Sequence, residues 1–285
     1  MNIGIVGLGL IGGSLARQFK RNTTHSVYGY DISADATAKA ELLGAIDGVF
    51  DPEDPGDLDV VFIALTPIAA NRVMDVLAPK LKKGAIIADT AGVKRPIIRH
   101  MTTLSERYPD VSFVGVHPMA GREYSGISHS TATLFERAFI IITPLLTDIE
   151  AAEKIKELFI QAVCRGVTMA SASEHDKIIA YTSQLAHVVS SAYIQNPTAK
   201  EYLGFSAGSF RDMTRVAKLN PDMWTELFME NKDNLLPCIC DIIEKLNGFK
   251  RALESGDADE LHEMLSEGNR LKEEAEKKGR EYKNE

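Results

Sequence analysis

The sequence is poor in cysteine, has no surplus of basic charge and contains no long apolar run. Cys164, Cys238 and Cys240 match neither a metal-ligand array nor a disulfide framework. A reducing cytoplasm is the default expectation, with no metal site. A net charge of −8 leaves no broad basic face for a phosphate backbone, which argues against a nucleic-acid partner. An anionic small molecule would have to be held by a few placed cations. No apolar stretch approaches the roughly 20 residues that span a bilayer, and the start MNIGIVGLG shows no basic leader or cleavage site. No export and no membrane association are expected, and no internal repeat is visible.

What is present is an ordinary globular composition, 285 residues with 45% hydrophobic and 25% charged, enough for a substantial core in one or two domains. Short apolar runs at 2–6, 26–31, 59–65, 84–89, 111–117 and 139–143 alternate with helical patterns at 11–20, 33–44, 67–77 and 148–161. Ser33 is an N-cap and Gly44 a stop for the second helix, and Pro67 suits a first helical turn. This alternation predicts an α/β fold, a doubly wound parallel sheet with helices on both faces. After a last strand near 167–171 only helical signals remain. The domains are therefore expected at 1–170 and 171–285, the second all-helical. In it, 175–195 reads as a helix with Ile178, Leu185, Val188, Val189 and Ala192 inward. Asn220-Pro221 and Asp257 to Glu260 read as helix starts, and Pro237 should kink or interrupt its helix. The tail from Lys272 is charged on nearly every face, as in a solvated or frayed helix end.

Gly7-Leu8-Gly9-Leu10-Ile11-Gly12 follows the first strand and opens the first helix, the position of a dinucleotide-binding turn. Gly7 permits the tight turn, Gly9 lets the backbone approach a pyrophosphate, and Gly12 lets helix pack on sheet. The helix start at Leu10 and Ile11 offers free N–H groups. Asp31 ends the second strand, where a carboxylate accepts both ribose hydroxyls and repels a 2′-phosphate, and no arginine stands beside it. NAD is the expected cofactor. Thr66, between the strand at 59–65 and the Pro67 helix, is counted with the cofactor-binding residues.

His117 ends the strand VSFVGVH, at the carboxyl edge of the sheet where ligands bind. A histidine there can take a proton from an alcohol as hydride leaves the same carbon. The segment His117-Pro-Met-Ala-Gly-Arg-Glu123-Tyr-Ser-Gly126 resembles the HP(I/M)AG-x-E-x-SG motif of the prephenate/arogenate dehydrogenase family. Ser183-Gln-Leu-Ala-His187, Gly208 to Ala217, GLGLIGGS and PDMW at 221–224 are similar to the same family, so the likeness runs from residue 1 to about 250.

The resemblance implies that His117 is the catalytic base and that loss of the ring carboxylate then makes the ring aromatic. It implies that His187 binds substrate, that Arg215 binds a substrate carboxylate through its planar donors, and that Glu123 sits near the entrance. In place of the family's serine before Val-Lys this chain has Gly92. The hydroxyl support of His117 is then missing or supplied elsewhere, Thr90 being one source. Lys94 follows the family pattern and either contacts cofactor or shapes the loop, an exposed helix-start lysine being an equal account.

If 211–215 is helical, Arg211 and Arg215 face one pocket, and two cations favour prephenate over arogenate. A β-hydroxyacid dehydrogenase would carry a lysine in a GxxxK-type motif, a setting Lys177 lacks. A non-catalytic NAD(H) sensor is the alternative from another class. The surplus of apolar faces in the helical region, including Leu235, Leu236, Ile239, Ile242 and Ile243, and the family likeness together imply a homodimer.

Overall fold

In the computed structural model, which describes residues 1–281, the apolar runs become strands β1 (Asn2–Val6), β2 (Ser26–Tyr30), β3 (Gly48–Val49), β4 (Val60–Ile63), β5 (Ile86–Asp89), β6 (Ser112–Pro118), β7 (Phe139–Pro144) and β8 (Gly166–Met169). They form one sheet in the order β3-β2-β1-β4-β5-β6-β7-β8. Between them run α1 (Leu10–Asn22), α2 (Ala34–Leu42), α3 (Pro67–Leu77), α4 (Arg95–Arg107) and α5 (Ile149–Gln161). Ser33 caps α2 by accepting from the Ala36 N–H, and Gly44 takes a left-handed φ of 62° just past its end. The pairings are parallel except β6 with β7, which is antiparallel, His117 standing opposite Ile141. The expected doubly wound parallel sheet is present, with this one antiparallel pair. Residues 119–138 contain no crossover helix, only a 3-10 turn at Ile127–His129, and an antiparallel pair needs none. The helix α5 then makes the parallel crossover to β8.

The strands bury both faces. On β4, Val60 and Phe62 join a core with Phe19 of α1 and Phe159 of α5, while Val61 and Ile63 join a second core with Met74 of α3 and Met101 of α4. Phe62 meets Phe19 at 5.4 Å and Phe159 edge-on at 5.7 Å. Truncating such a side chain to alanine costs about 3–5 kcal/mol. This packing fixes the carboxyl ends of β1, β4, β5 and β6 along one edge of the sheet.

The helical region begins with α6 (Ala172–Ile179), which passes through a wide π turn (Ala180–Leu185) into α7 (Ala186–Ile194). Its buried side is His175, Asp176, Ile179, Ala180, Gln184, Leu185 and Ser190. Ile178 and Ala192, expected inward, are exposed, because the buried side of this helix runs through His175, Asp176, Ile179 and Ala180 instead. Then follow α8 (Gly208–Thr214), α9 (Pro221–Glu230), α10 (Lys232–Ser255) and α11 (Ala258–Glu281). Asn220 caps α9 by accepting from the Met223 N–H, and Asp257 accepts from the Glu260 N–H at the start of α11. Helix α10 is not interrupted at Pro237, which lies inside it. Helix α11 carries the charged segment from Lys272 to Glu281, and residues 282–285 of that tail lie outside the described residues. Residues 1–235 form one compact unit, and the chain from Leu236 onward forms another. Among the described residues no helix is long and apolar enough to cross a membrane.

Candidate active site

The turn after β1 is closed to any other residue at two of its three glycines. Gly7 has a φ of 87°, and a Cβ on it would lie 2.6 Å from the Ala64 carbonyl oxygen, while a Cβ on Gly12 would lie 1.9 Å from that of Gly7. A Cβ on Gly9 would meet nothing within 4 Å, so the protein itself leaves that approach open. The first turn of α1 has no acidic residue and no side-chain cap, which leaves the N–H groups of Leu10, Ile11 and Gly12 for an anion. Asp31 is held in place by the Leu8 N–H on Oδ2 at 2.8 Å and the Ser33 N–H on Oδ1 at 2.9 Å. Each oxygen keeps a further lone pair, suited to a ribose diol. Ile32 beside it is 94% exposed and brings no positive charge. Thr66 is half-buried at the N-cap of α3 with its hydroxyl not used as a cap, and the Ile68 N–H donates instead to Glu226 of α9 at 2.7 Å. These residues fit an NAD molecule.

His117, at the end of β6, is half-buried, and its Nδ1 lies 2.8 Å from Nε2 of His175 on α6. The Nδ1 of His175 is 2.8 Å from Oδ1 of Asp176. That carboxylate also accepts the Lys94 N–H at 2.7 Å, the Arg95 N–H at 2.9 Å and Arg95 Nε at 3.2 Å. Behind them Lys94 and Asp89 form a fully buried ion pair. The Asp89 carboxylate accepts two more N–H groups, from Ala91 at 2.8 Å and Val116 at 3.3 Å.

Burial pushes His117 well below its ordinary 6.5, and the neighbouring His175 and Lys94 push the same way. Burial lowers His175 too, against the pull of Asp176. For Asp176 burial acts upward, but His175 and the N–H groups of Arg95 and Lys94 outweigh it and hold the carboxyl below its usual range. Burial drives Asp89 up and Lys94 down, each opposed by the charge of the other. The result is a neutral imidazole at the edge of the sheet, backed by an anion.

Two expectations change here. Lys94 is neither exposed nor turned to a ligand, since its side chain is buried on Asp89. Thr90 gives its hydroxyl to the Ile63 carbonyl at 3.3 Å and does not support His117. At Gly92 a Cβ would lie 3.4 Å from both methyl carbons of Leu227 on α9.

On the helical side, His187 directs Nδ1 to the Ser183 carbonyl at 2.9 Å and stacks on Trp224 of α9, ring centroids 3.7 Å apart. Burial, with the charge of Arg215, lowers its pKa. Arg215 Nη1 meets Glu123 Oε1 at 2.6 Å, and the carboxyl of Glu123 is held low by its own backbone N–H and by Arg215. Arg211 stands apart, 82% exposed, with Asp212 at 3.9 Å as its ion-pair neighbour. The helix α8 stops at Thr214 and Arg215 opens a 3-10 turn (Arg215–Ala217), and of the two arginines Arg215 is the one paired with Glu123. Buried Gln184 donates to the Leu227 carbonyl at 3.1 Å, and Asn231 ties it to the Asp176 carbonyl, with 2.8 Å to each. Sequence reasoning missed His175, Asp176 and the stacking role of Trp224. The adjacent His-Asp pair just after the Ser171 cap was the available signal.

A glycine turn at a helix start, an acidic end to the second strand and a neutral histidine at the carboxyl edge of the sheet define a nicotinamide-dependent oxidoreductase. Residues 15–167 match the family model for prephenate dehydrogenase, nucleotide-binding domain, and residues 171–267 that for prephenate dehydrogenase, dimerization domain. The chain belongs to the prephenate dehydrogenase family, a family of NAD-dependent dehydrogenases. It is 34% identical over 283 residues to cyclohexadienyl dehydrogenase of Zymomonas mobilis, covering 95% of this chain and 94% of that one. It is 33% identical over 268 residues to prephenate dehydrogenase of Bacillus subtilis, covering 90% and 71%. The structure of prephenate dehydrogenase from Aquifex aeolicus in complex with hydroxyphenyl propionate and NAD+ is similar with a TM-score of 0.82 and 30% identity, covering 96% of this chain and 98% of that one.

Proposed function

We propose that this chain catalyses the oxidative decarboxylation of prephenate to 4-hydroxyphenylpyruvate, with His117 as the base. The observation that carries this reading is the desolvated, neutral His117 at the carboxyl end of β6, on the edge that also bears the glycine turn. A neutral imidazole there takes the proton of the ring hydroxyl, and the ring carboxylate leaves as carbon dioxide. NAD, when bound, takes up the hydride. Gly7, Gly9, Gly12 and the N–H groups of Leu10 and Ile11 hold the pyrophosphate, Asp31 the ribose, and Thr66 flanks the same crevice. Arg215 binds the side-chain carboxylate, Glu123 sets the charge beside it, and His187 offers its free Nε2 to substrate. On this reading the work divides near residue 170: the sheet holds cofactor and base, and the helices from 171 hold substrate.

Arg211, exposed as it is, adds little to a preference for the dianion. A second reading, that arogenate is turned over as well, is favoured by the Glu123 carboxylate 2.6 Å from Arg215, which can accept an ammonium group. Formation of NADH with prephenate and with arogenate, measured side by side, tests both. Turnover of neither, with NAD still bound, would leave a cofactor sensor.

We also propose a homodimer through the helical region. Leu236, Ile243, Leu246 and Leu253 of α10 are more than half exposed, a large apolar surface for a free chain. Sedimentation at micromolar concentration should give a particle of twice the chain mass, and a monomer would remove the claim.

A further inference from the structure

We propose that His175 and Asp176 are positioning residues that fix His117 as the Nδ1–H tautomer and so keep its Nε2 lone pair for the substrate proton. This rests on the reading of His117 as the base and adds what orients it. Among the described residues His175 is the hydrogen-bond partner of the His117 ring. Gly92 has no hydroxyl to offer, and that of Thr90 is spent on Ile63.

The direction of each hydrogen is set from the Asp176 end. An ionised carboxylate only accepts, and Asp176 already accepts from both backbone N–H groups at the start of α4 and from Arg95 Nε. The Nδ1 of His175, 2.8 Å from that carboxylate, must therefore carry a hydrogen. A neutral His175 then has its lone pair on Nε2. That lone pair lies 2.8 Å from His117 Nδ1, which must be the donor. His117 is left with Nε2 unprotonated. When a proton arrives there, the new positive charge is shared along Nδ1–H to His175 and so toward Asp176. Lys94, Asp89 and Arg95 are the other charges packed around these three side chains. Lys94 and Asp89 cancel one another, and Arg95 is also bound to Asp233 at 2.6 Å.

A bland account makes the pair a clamp between α6 and α4. It explains the backbone N–H groups on Asp176 but gives no reason for the His175 ring to turn its far nitrogen to His117.

The test is nitrogen NMR of the isotope-labelled, NAD-bound protein near neutral pH, joined to steady-state kinetics. The His117 ring should show a protonated Nδ1 and an unprotonated Nε2. In His175→Leu that signature should be lost, with kcat falling by about 10²-fold, the lower end of a general base's contribution, and KM little changed. His175→Gln, whose carbonyl oxygen can stand where Nε2 was, should recover most of kcat. A protonated Nε2 on His117 in the unmodified protein overturns the proposal, as does an unchanged kcat in His175→Leu. If His175→Leu does not fold, the spectrum of the unmodified protein decides alone. An active His117→Asn enzyme would remove the base assignment without touching the tautomer, so the two failures are distinguishable.

Discussion

The imidazole of His187 lies almost flat on the indole of Trp224, centroids 3.7 Å apart and planes 29° apart. Trp224 is the single tryptophan of the chain, and the contact sets the plane of the ring while the Ser183 carbonyl sets its tautomer. Aromatic pairs of this kind contribute about 0.5–1.5 kcal/mol beyond area. Trp224→Ala should therefore raise KM by about 3- to 10-fold with a smaller effect on kcat. An unchanged KM in steady-state assays would show that the stack does not orient a substrate ligand.

Asp31 gives a prediction about the cofactor. Its carboxylate is pinned by the Leu8 and Ser33 N–H groups and should repel a 2′-phosphate, so NAD should be strongly preferred over NADP. Asp31→Ser should narrow the preference, chiefly through weaker NAD binding. Equal kcat/KM for both cofactors in the unmodified enzyme would contradict the geometry.

His117→Asn should lower kcat by about 10²- to 10⁴-fold with NAD binding intact, read by calorimetry. The sign of the pH dependence is fixed by the role. The base works only when unprotonated, and burial lowers its pKa well below 6.5. Activity should hold as pH falls through 6.5 and decline only at lower pH. A decline centred above 6.5 would mean that a different group is titrating.

The buried pair Lys94–Asp89 bears on stability. Lys94→Met leaves the Asp89 carboxylate buried without its cation and should destabilise the fold by about 3–5 kcal/mol. The double variant with Asp89→Asn, which keeps an acceptor for a backbone N–H, should recover part of that loss. Urea unfolding checks both, and a single variant as stable as the parent would refute the pairing.

The glycine turn was legible because its constraints are local. A Cβ on Gly12 would strike the Gly7 carbonyl, and strand, turn and helix succeed one another within a few residues. The direction of β7 was not legible, because FIIIT reads the same either way and the missing crossover in 119–138 decides it. The helix α4 was read only at its start by Lys94, although Ile97, Met101 and Leu104 line its buried face. The wiring behind His117 lay beyond reach for a different reason. His175 is 58 residues from His117, and Asp176 is 82 from Lys94, so only the folded sheet and helices make them neighbours. The burial of Lys94 was not legible because it depends on the pairing with Asp89 at the end of β5.

Between His175 and His187 the helix climbs twelve residues through the wide turn at Ala180–Leu185. An unbroken α-helix advances about 100° per residue, so those steps would finish roughly 120° out of phase. A π turn closes its hydrogen bond one residue later and winds back the remainder of the rod by about one residue's rotation, again about 100°. By that idealised count the positions of His175 and His187 come within about 20° of one another around the axis. One inserted residue acts as a phase shifter, letting a single rod present the neighbour of His117 and the ring stacked on Trp224 to the same side.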